Sequence, residues 1–159
     1  MKVLVVSDTH GVYGDLIDLI NNEKFDMYIH LGDTLRDAEE IELACGIKFL
    51  KVKGNNDYFD FNTQENLIVD IAGKKALLTH GHKDGVYFTT GNLIKRAKSL
   101  KADIVLFGHT HSFQAELVDG ILLVNPGSTS FPRGGDFKRG CAILKIDQDG
   151  EVNVERVEL

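Results

Sequence analysis

The chain has 159 residues, of which 43% are hydrophobic and 26% charged, and its formal net charge is −6 at pH 7. That length suffices for one domain spanning residues 1–159 with a real core, and the composition is that of an ordinary folded protein rather than a disordered or fibrous one. The acidic balance argues against a broad grip on nucleic acid. No apolar run is long enough to cross a bilayer and no basic-then-apolar leader is visible, so a cytoplasmic protein with no membrane partner and no extended nucleic-acid surface is expected.

In chain order, Val3-Leu4-Val5-Val6 is short, β-branched and continuous, which predicts a strand buried on both faces. Asp8-Thr9-His10 follows it. Leu16, Ile17, Leu19 and Ile20 recur at helical spacing and predict a covering helix. Met27 to Leu31 predicts a second strand, ending at Gly32-Asp33. Ala38, Ile41 and Ala44 mark a second helix stopped by Gly46. Phe49 to Val52 predicts a third strand, followed by Gly54-Asn55-Asn56-Asp57. Strand, helix, strand, helix, strand implies a parallel sheet with right-handed crossovers, and in such sheets sites form at the carboxyl ends of the strands.

Leu67 to Ile71 and Ala76 to Thr79 predict two strands joined at Gly73-Lys74, the second running into His80-Gly81-His82. Leu93, Ile94, Ala97 and Leu100 mark a third helix. Lys95, Arg96, Lys98 and Lys101 lie toward its C-terminal end, where the dipole favours cations. Asp103 to Phe107 is a further strand, ending at Gly108-His109-Thr110-His111. Beyond it, Asp119-Gly120 and Asp149-Gly150 are hairpin turns, and the segments around them predict a second, mostly antiparallel sheet. Two mixed β-sheets face to face, flanked by helices, make an α/β fold: a four-layer αββα sandwich. Cys45 and Cys141 lie far apart in apolar contexts and are expected as reduced thiols.

The five polar signatures contain five of the six histidines together with Asp8, Asp33 and Asn55, and no thiol. That is a ligand set for hard-to-borderline divalent ions, large enough for two. Each signature also has a plain structural reading: Asp8 as a helix cap, Gly32-Asp33 and Gly54 to Asp57 as turns. Gly108-His109-Thr110-His111 is the strongest, because two histidines flanking one residue after a buried strand have no obvious structural use. All five in this order, each following a predicted strand, point to a metal centre.

The series resembles the calcineurin-like metallophosphoesterase superfamily, whose pattern is Asp-x-His, Gly-Asp, Gly-Asn-His-Asp/Glu, a lone His and Gly-His-x-His. The small size and the Asn125-Pro126-Gly127-Ser128 turn resemble its compact phosphodiesterase branch. The resemblance implies one ion held by Asp8, His10, Asp33 and His111, and another held by Asp33, Asn55, His80 and His109, with Asp33 shared. It implies phosphodiester hydrolysis by a hydroxide bridging two divalent ions, with Asp33, Asn55, Asn56 and His109 at the chemistry. Manganese is the foremost ion; nickel, iron, zinc and cobalt are alternatives. Two such ions about 3.5–4 Å apart share a hydroxide and clamp the phosphoryl oxygens. A phosphodiester is therefore the expected substrate. A phosphomonoester or nucleotide with the same site is the alternative. A metal-containing scaffold with little turnover, similar to the retromer subunit that uses this fold, is a third reading. Self-association is common in the family, so a homo-oligomer belongs to the same set of expectations.

One position departs from the pattern: the family histidine of Gly-Asn-His-Asp/Glu is Asn56. An amide hydrogen-bonds but is no general acid at neutral pH, and such a donor is typically worth about 10²–10⁴ in rate. Either the leaving group needs little help, or another group donates, with His82 the candidate against the reading of a packing partner or loop residue. Asp57 either orients the cluster or its loop, or caps a helix. His30 is expected to be a satisfied buried histidine. Arg36 pairs with Asp57, a phosphate or a surface acid. The stretch Gly127 to Gly140 contains Arg133, Lys138 and Arg139, and either covers the site or is an ordinary loop. Phe131 and Phe137 within it are expected to pack against the sheet rather than stack on a base or aryl group.

Overall fold

Along β1 (Lys2–Val6), Val3 and Val5 enter one apolar layer while Leu4 and Val6 enter another, and this alternation sets the architecture. The structure is a computed structural model describing residues 1–159. After β1 come α1 (Gly14–Asn22), β2 (Met27–His30), α2 (Leu35–Cys45) and β3 (Phe49–Lys51). β1 pairs with β2 and β2 with β3, all parallel, as the alternation of strands and helices predicted. Gly46 ends α2 at φ +67°, a left-handed conformation that glycine adopts without a Cβ clash.

β4 (Asn66–Ile71) and β5 (Lys74–Thr79) form a hairpin, followed by a single 3₁₀ turn at His82–Asp84 and then α3 (Gly91–Leu100). β6 (Ile104–Phe107), β7 (Phe113–Val118), β8 (Ile121–Pro126), β9 (Gly140–Ile146) and β10 (Val152–Glu158) complete the chain. One sheet has the order β10-β9-β1-β2-β3 and the other β4-β5-β6-β8-β7.

The C-terminal third does not make the separate antiparallel sheet that its turns suggested. β7 and β8 join β4, β5 and β6, with β8 parallel to β6. β9 and β10 return to the first sheet, β9 lying antiparallel to β1 with Val3 opposite Leu144. β9 is buried at almost every position, so it closes the open edge of β1 while filling both adjoining layers. Ala142 and Leu144 enter the inter-sheet core, and Cys141 and Ile143 face the helical side.

Three apolar clusters define four layers. Val3, Val5, Ile29, Leu78, Leu106 and Val124 lie between the sheets. Leu4, Val6, Leu16, Ile20 and Ile41 join the first sheet to α1 and α2. Leu77, Val105, Leu93 and Ala97 join the second sheet to α3. Each fully buried valine, leucine or isoleucine among these contributes roughly 1.5–3 kcal/mol. The carboxyl ends of β1, β2, β3, β5 and β6 all open toward one cleft, which is where the polar signatures lie.

Candidate metal centre

The strands end abruptly. Asp8, His10, Asp33, His109 and His111 all adopt positive φ, between 41° and 69°. Aspartate and histidine tolerate this region better than bulkier residues, but five such positions around one cleft store strain. The reversal brings both ends of Asp8-Thr9-His10 and both ends of His109-Thr110-His111 into the same space. Neighbouring loops fix it there. Ser128 Oγ donates to Asp8 O at 2.7 Å, Asn125 Nδ2 donates to Gly108 O at 2.8 Å, and Thr9 Oγ1 and Gly11 N both donate to Asp37 Oδ2 at 2.7 Å. Gly54 is required by close approach, since a Cβ there would stand 2.1 Å from Asp33 Oδ1.

Two groups of donors converge. Asp8, His10 and His111 bring ligand atoms within 4.8 Å of one another, and so do Asp33, His80 and His109. His80 Nδ1 bonds the Leu31 carbonyl and His111 Nδ1 the Phe131 carbonyl, each at 2.8 Å. Those bonds place the proton on Nδ1 and turn the Nε2 lone pairs into the cleft. His111 Nε2 then faces Asp8 Oδ1 at 3.0 Å, while His80 Nε2 faces Asn55 Oδ1 at 3.1 Å and Asp33 Oδ1 at 3.4 Å. The two carboxylates differ. Asp8 Oδ2 is taken up by Ser7 Oγ and His109 N, leaving one oxygen for the cleft. Asp33 turns Oδ1 toward His80 and Oδ2 toward His10 at 3.9 Å, one nitrogen from each group, while each of its oxygens also accepts a hydrogen bond from Asn56.

This arrangement calls for positive charge. Asp8 Oδ1 is buried without a hydrogen-bond partner, and an oxygen facing a nitrogen lone pair is repelled unless a cation or proton lies between them. Imidazole nitrogens with carboxylate and amide oxygens suit divalent first-row metals, so the residues fit a metal site. Without a metal, burial opposes the charge on Asp33, but His80 and the Asn56 N–H outweigh it and hold the carboxyl well below its usual range. Burial likewise opposes a proton on His80, yet Asp33 and Asp8 raise its pKa. Burial and the nearby His80 push His109 down to about 4, which keeps its imidazole neutral.

The family model of the calcineurin-like phosphoesterase superfamily domain matches residues 1–149. The chain belongs to that superfamily. It is 36% identical over 152 residues to the probable metallophosphoesterase YsnB of Bacillus subtilis, covering 94% of this chain and 86% of that one. It is 34% identical over 146 residues to the phosphodiesterase MJ0936 of Methanocaldococcus jannaschii, covering 80% and 83%. The zinc complex of Vps29 from Entamoeba histolytica shares the fold, with a TM-score of 0.81 over 99% of each chain at 24% identity. The protein is accordingly a hydrolase of the metallophosphoesterase type with two candidate metal-binding groups.

Against the superfamily pattern, Asn56 stands at the cleft and bonds Asp33, its N and Nδ2 donating at 2.9 and 2.7 Å. Asp57 both ties the loops and caps a helix: its carboxylate accepts from Asp33 N, Thr34 N, Leu35 N and Gly54 N at 2.8–3.0 Å. Leu35 is the first residue of α2. Arg36 has an 85% exposed side chain and pairs with Glu40, away from the site. His82 packs behind His80 and His109, with ring centroids 5.5 and 6.1 Å away, and does not line the cleft. Lys138 and Arg139 pair with Glu158 and Asp15. Phe131 and Phe137 are 58% and 69% exposed rather than packed on the sheet. Phe131 stacks beside His10, with centroids 5.8 Å apart. Both cysteines are free, and burial pushes the Cys141 thiol up to about 12. Sequence reasoning missed Tyr87, whose ring lies 4.6 Å from His109, and Ser7 and Asp37; none carries a motif.

His30 is the satisfied core histidine expected: fully buried, with Nδ1 accepting from Gly32 N at 3.2 Å and Nε2 3.4 Å from Thr9 Oγ1. Burial lowers its pKa from 6.5 to about 4. The unfolded chain therefore takes up a proton below pH 6.5 that the folded protein refuses until about pH 4. Stability should fall across that window by about 3 kcal/mol on this account. In chelator, the urea stability of the wild type minus that of His30→Asn should shrink by roughly that amount from pH 7 to pH 4. A difference that stays constant with pH would refute the assignment.

Proposed function

We propose that residues 1–159 form a single-domain phosphodiesterase that works with two divalent cations, manganese foremost. Asp8, His10, Asp33 and His111 hold one ion, and Asp33, Asn55, His80 and His109 hold the other. The observation that carries this reading is the pair of donor groups facing one another across Asp33, each of whose oxygens is turned to a different group. The relative named a phosphodiesterase supports the substrate class.

Bound in pairs, such cations supply the Lewis acidity that activates water and neutralises the phosphoryl oxygens. The chain's own residues do the rest. Ser7 and the His109 N–H hold Asp8 so that one oxygen faces inward. The Leu31 and Phe131 carbonyls hold His80 and His111 in the tautomer that ligates. Neutral His109 ligates through its free nitrogen. Asn56 donates a hydrogen bond to a substrate oxygen but no proton to the leaving group, and His82 behind the ligands does not replace it. Good leaving groups, aryl esters among them, follow from that deficit.

With manganese loaded, kcat/KM for bis(p-nitrophenyl) phosphate should exceed that for p-nitrophenyl phosphate by about tenfold or more, a difference of roughly 1.4 kcal/mol. The reverse preference would make the protein a phosphomonoesterase. No turnover of either ester, with two ions per chain by metal analysis, would make it a metal-containing scaffold.

A further inference from the structure

Four of the five arginines are neutralised by acids: Arg36 by Glu40, Arg96 by Asp84, Arg139 by Asp15 and Arg156 by Asp136. Arg133 has no carboxylate partner. The one hydrogen bond of its guanidinium runs from Nη1 to the Tyr87 hydroxyl, and its Cζ lies 6.0 Å from the centroid of that ring. Tyr87 in turn donates to the His109 carbonyl at 2.9 Å. Arg133 is anchored on the other side, its backbone N donating to His111 O at 2.8 Å. Both residues line the cleft of about 240 Å³ that contains Asp33, Asn56 and His109. A cation held by a neutral hydroxyl keeps its whole charge, and its forked donors, for a ligand.

Charge counting names that ligand. Two divalent ions with Asp8 and Asp33 leave a net charge of about +2. A simple diester and an anionic nucleophile cancel it, so Arg133 is left over. Resting on the two-ion phosphodiesterase reading, we propose that Arg133, positioned by Tyr87, selects diesters that carry a second phosphate group beyond the scissile one. Arg133 is the specificity residue in this arrangement. Tyr87 is a positioning residue that keeps the guanidinium at the cleft.

The test uses thymidine 5′-(p-nitrophenyl phosphate) with and without a 3′-phosphate, a pair with identical leaving groups. The wild type should prefer the 3′-phosphorylated ester by about tenfold to a hundredfold in kcat/KM, the range of one charge-assisted hydrogen-bonded contact. Arg133→Ala should bring the ratio close to one. Tyr87→Phe, which keeps the ring and removes the hydroxyl, should give an intermediate ratio. A wild-type ratio near one, or an undiminished ratio in Arg133→Ala, overturns the proposal. So does a preference retained while Arg133→Ala slows both esters equally, since Arg133 would then act on the scissile phosphate. Calorimetric titration of the manganese-loaded proteins with thymidine 3′,5′-bisphosphate and thymidine 5′-monophosphate separates the two claims. Arg133-dependent discrimination without hydrolysis supports the anion arm and overturns the phosphodiesterase reading. Hydrolysis without discrimination does the opposite.

Discussion

Asp33→Asn should abolish diester hydrolysis, by on the order of 10³-fold or more, and should lower the occupancy of both ions together. The size follows from what the carboxylate does. One oxygen faces His80 and the other faces His10, so the proposed site has a single side chain serve both donor groups. On the proposed two-ion reading, removing the charge that holds both cations forfeits several kcal/mol of charge stabilisation in the transition state. Asparagine is nearly isosteric and keeps an acceptor for the Asn56 N–H, so the fold should survive. Metal analysis and melting provide readouts that do not depend on turnover. Manganese should raise the melting temperature of the wild type, because the ions bind the folded state, and should scarcely move that of the variant. A variant that still binds two ions per chain with unchanged affinity would show that Asp33 is not shared.

Asp57→Ala should be the most destabilising single polar substitution near the cleft, at about 3 kcal/mol in urea unfolding. Its carboxylate accepts four backbone N–H groups, from Asp33, Thr34, Leu35 and Gly54. Charge-assisted hydrogen bonds contribute about 1.5–3 kcal/mol each and unsatisfied buried donors cost about 1–3 kcal/mol. The site is only partly buried, and water takes over some of the released donors, so the sum is well below four full bonds. Asp57→Asn keeps one acceptor oxygen and should cost about half as much. The damage should also reach the metal site, because the same carboxylate fixes the backbone on both sides of the contact between Gly54 and Asp33. Manganese affinity should therefore weaken even though Asp57 faces neither donor group. A stability within about 0.5 kcal/mol of the wild type, the range of an ordinary surface substitution, would remove Asp57 from this role.

These two aspartates mark what was legible in one dimension. Asp33 stood out because it follows a buried strand and belongs to a spaced series, and the resemblance then assigned it to both ions. Asp57 remained divided between cap and loop tie. Three of its four partners lie 22 to 24 residues away at the turn into α2, and only at three-dimensional distance does one carboxylate meet both tasks. The pairing of β9 with β1 is a similar case. Its alternation and its Asp149-Gly150 turn identified a hairpin, but hairpin chemistry is local and says nothing about which sheet edge receives it. The open edge of β1 and the need to fill both adjoining layers decided that.

The sequence by itself determined the parallel core of β1 to β3, the helices that cover it and the strand ends that carry the donors. Each of these rests on short-range periodicity, or on residue types placed directly after an apolar run. It also exposed Asn56, since a missing imidazole is visible without any fold. The tertiary structure alone decided that Ser7 and His109 N take up one oxygen of Asp8, that Asn56 bonds both oxygens of Asp33, and that Arg133 stands without an acid beside Tyr87, 46 residues away. Such facts depend on which groups compete for the same lone pair or charge. That competition is settled by distance in space, between segments whose separation along the chain carries no information about it.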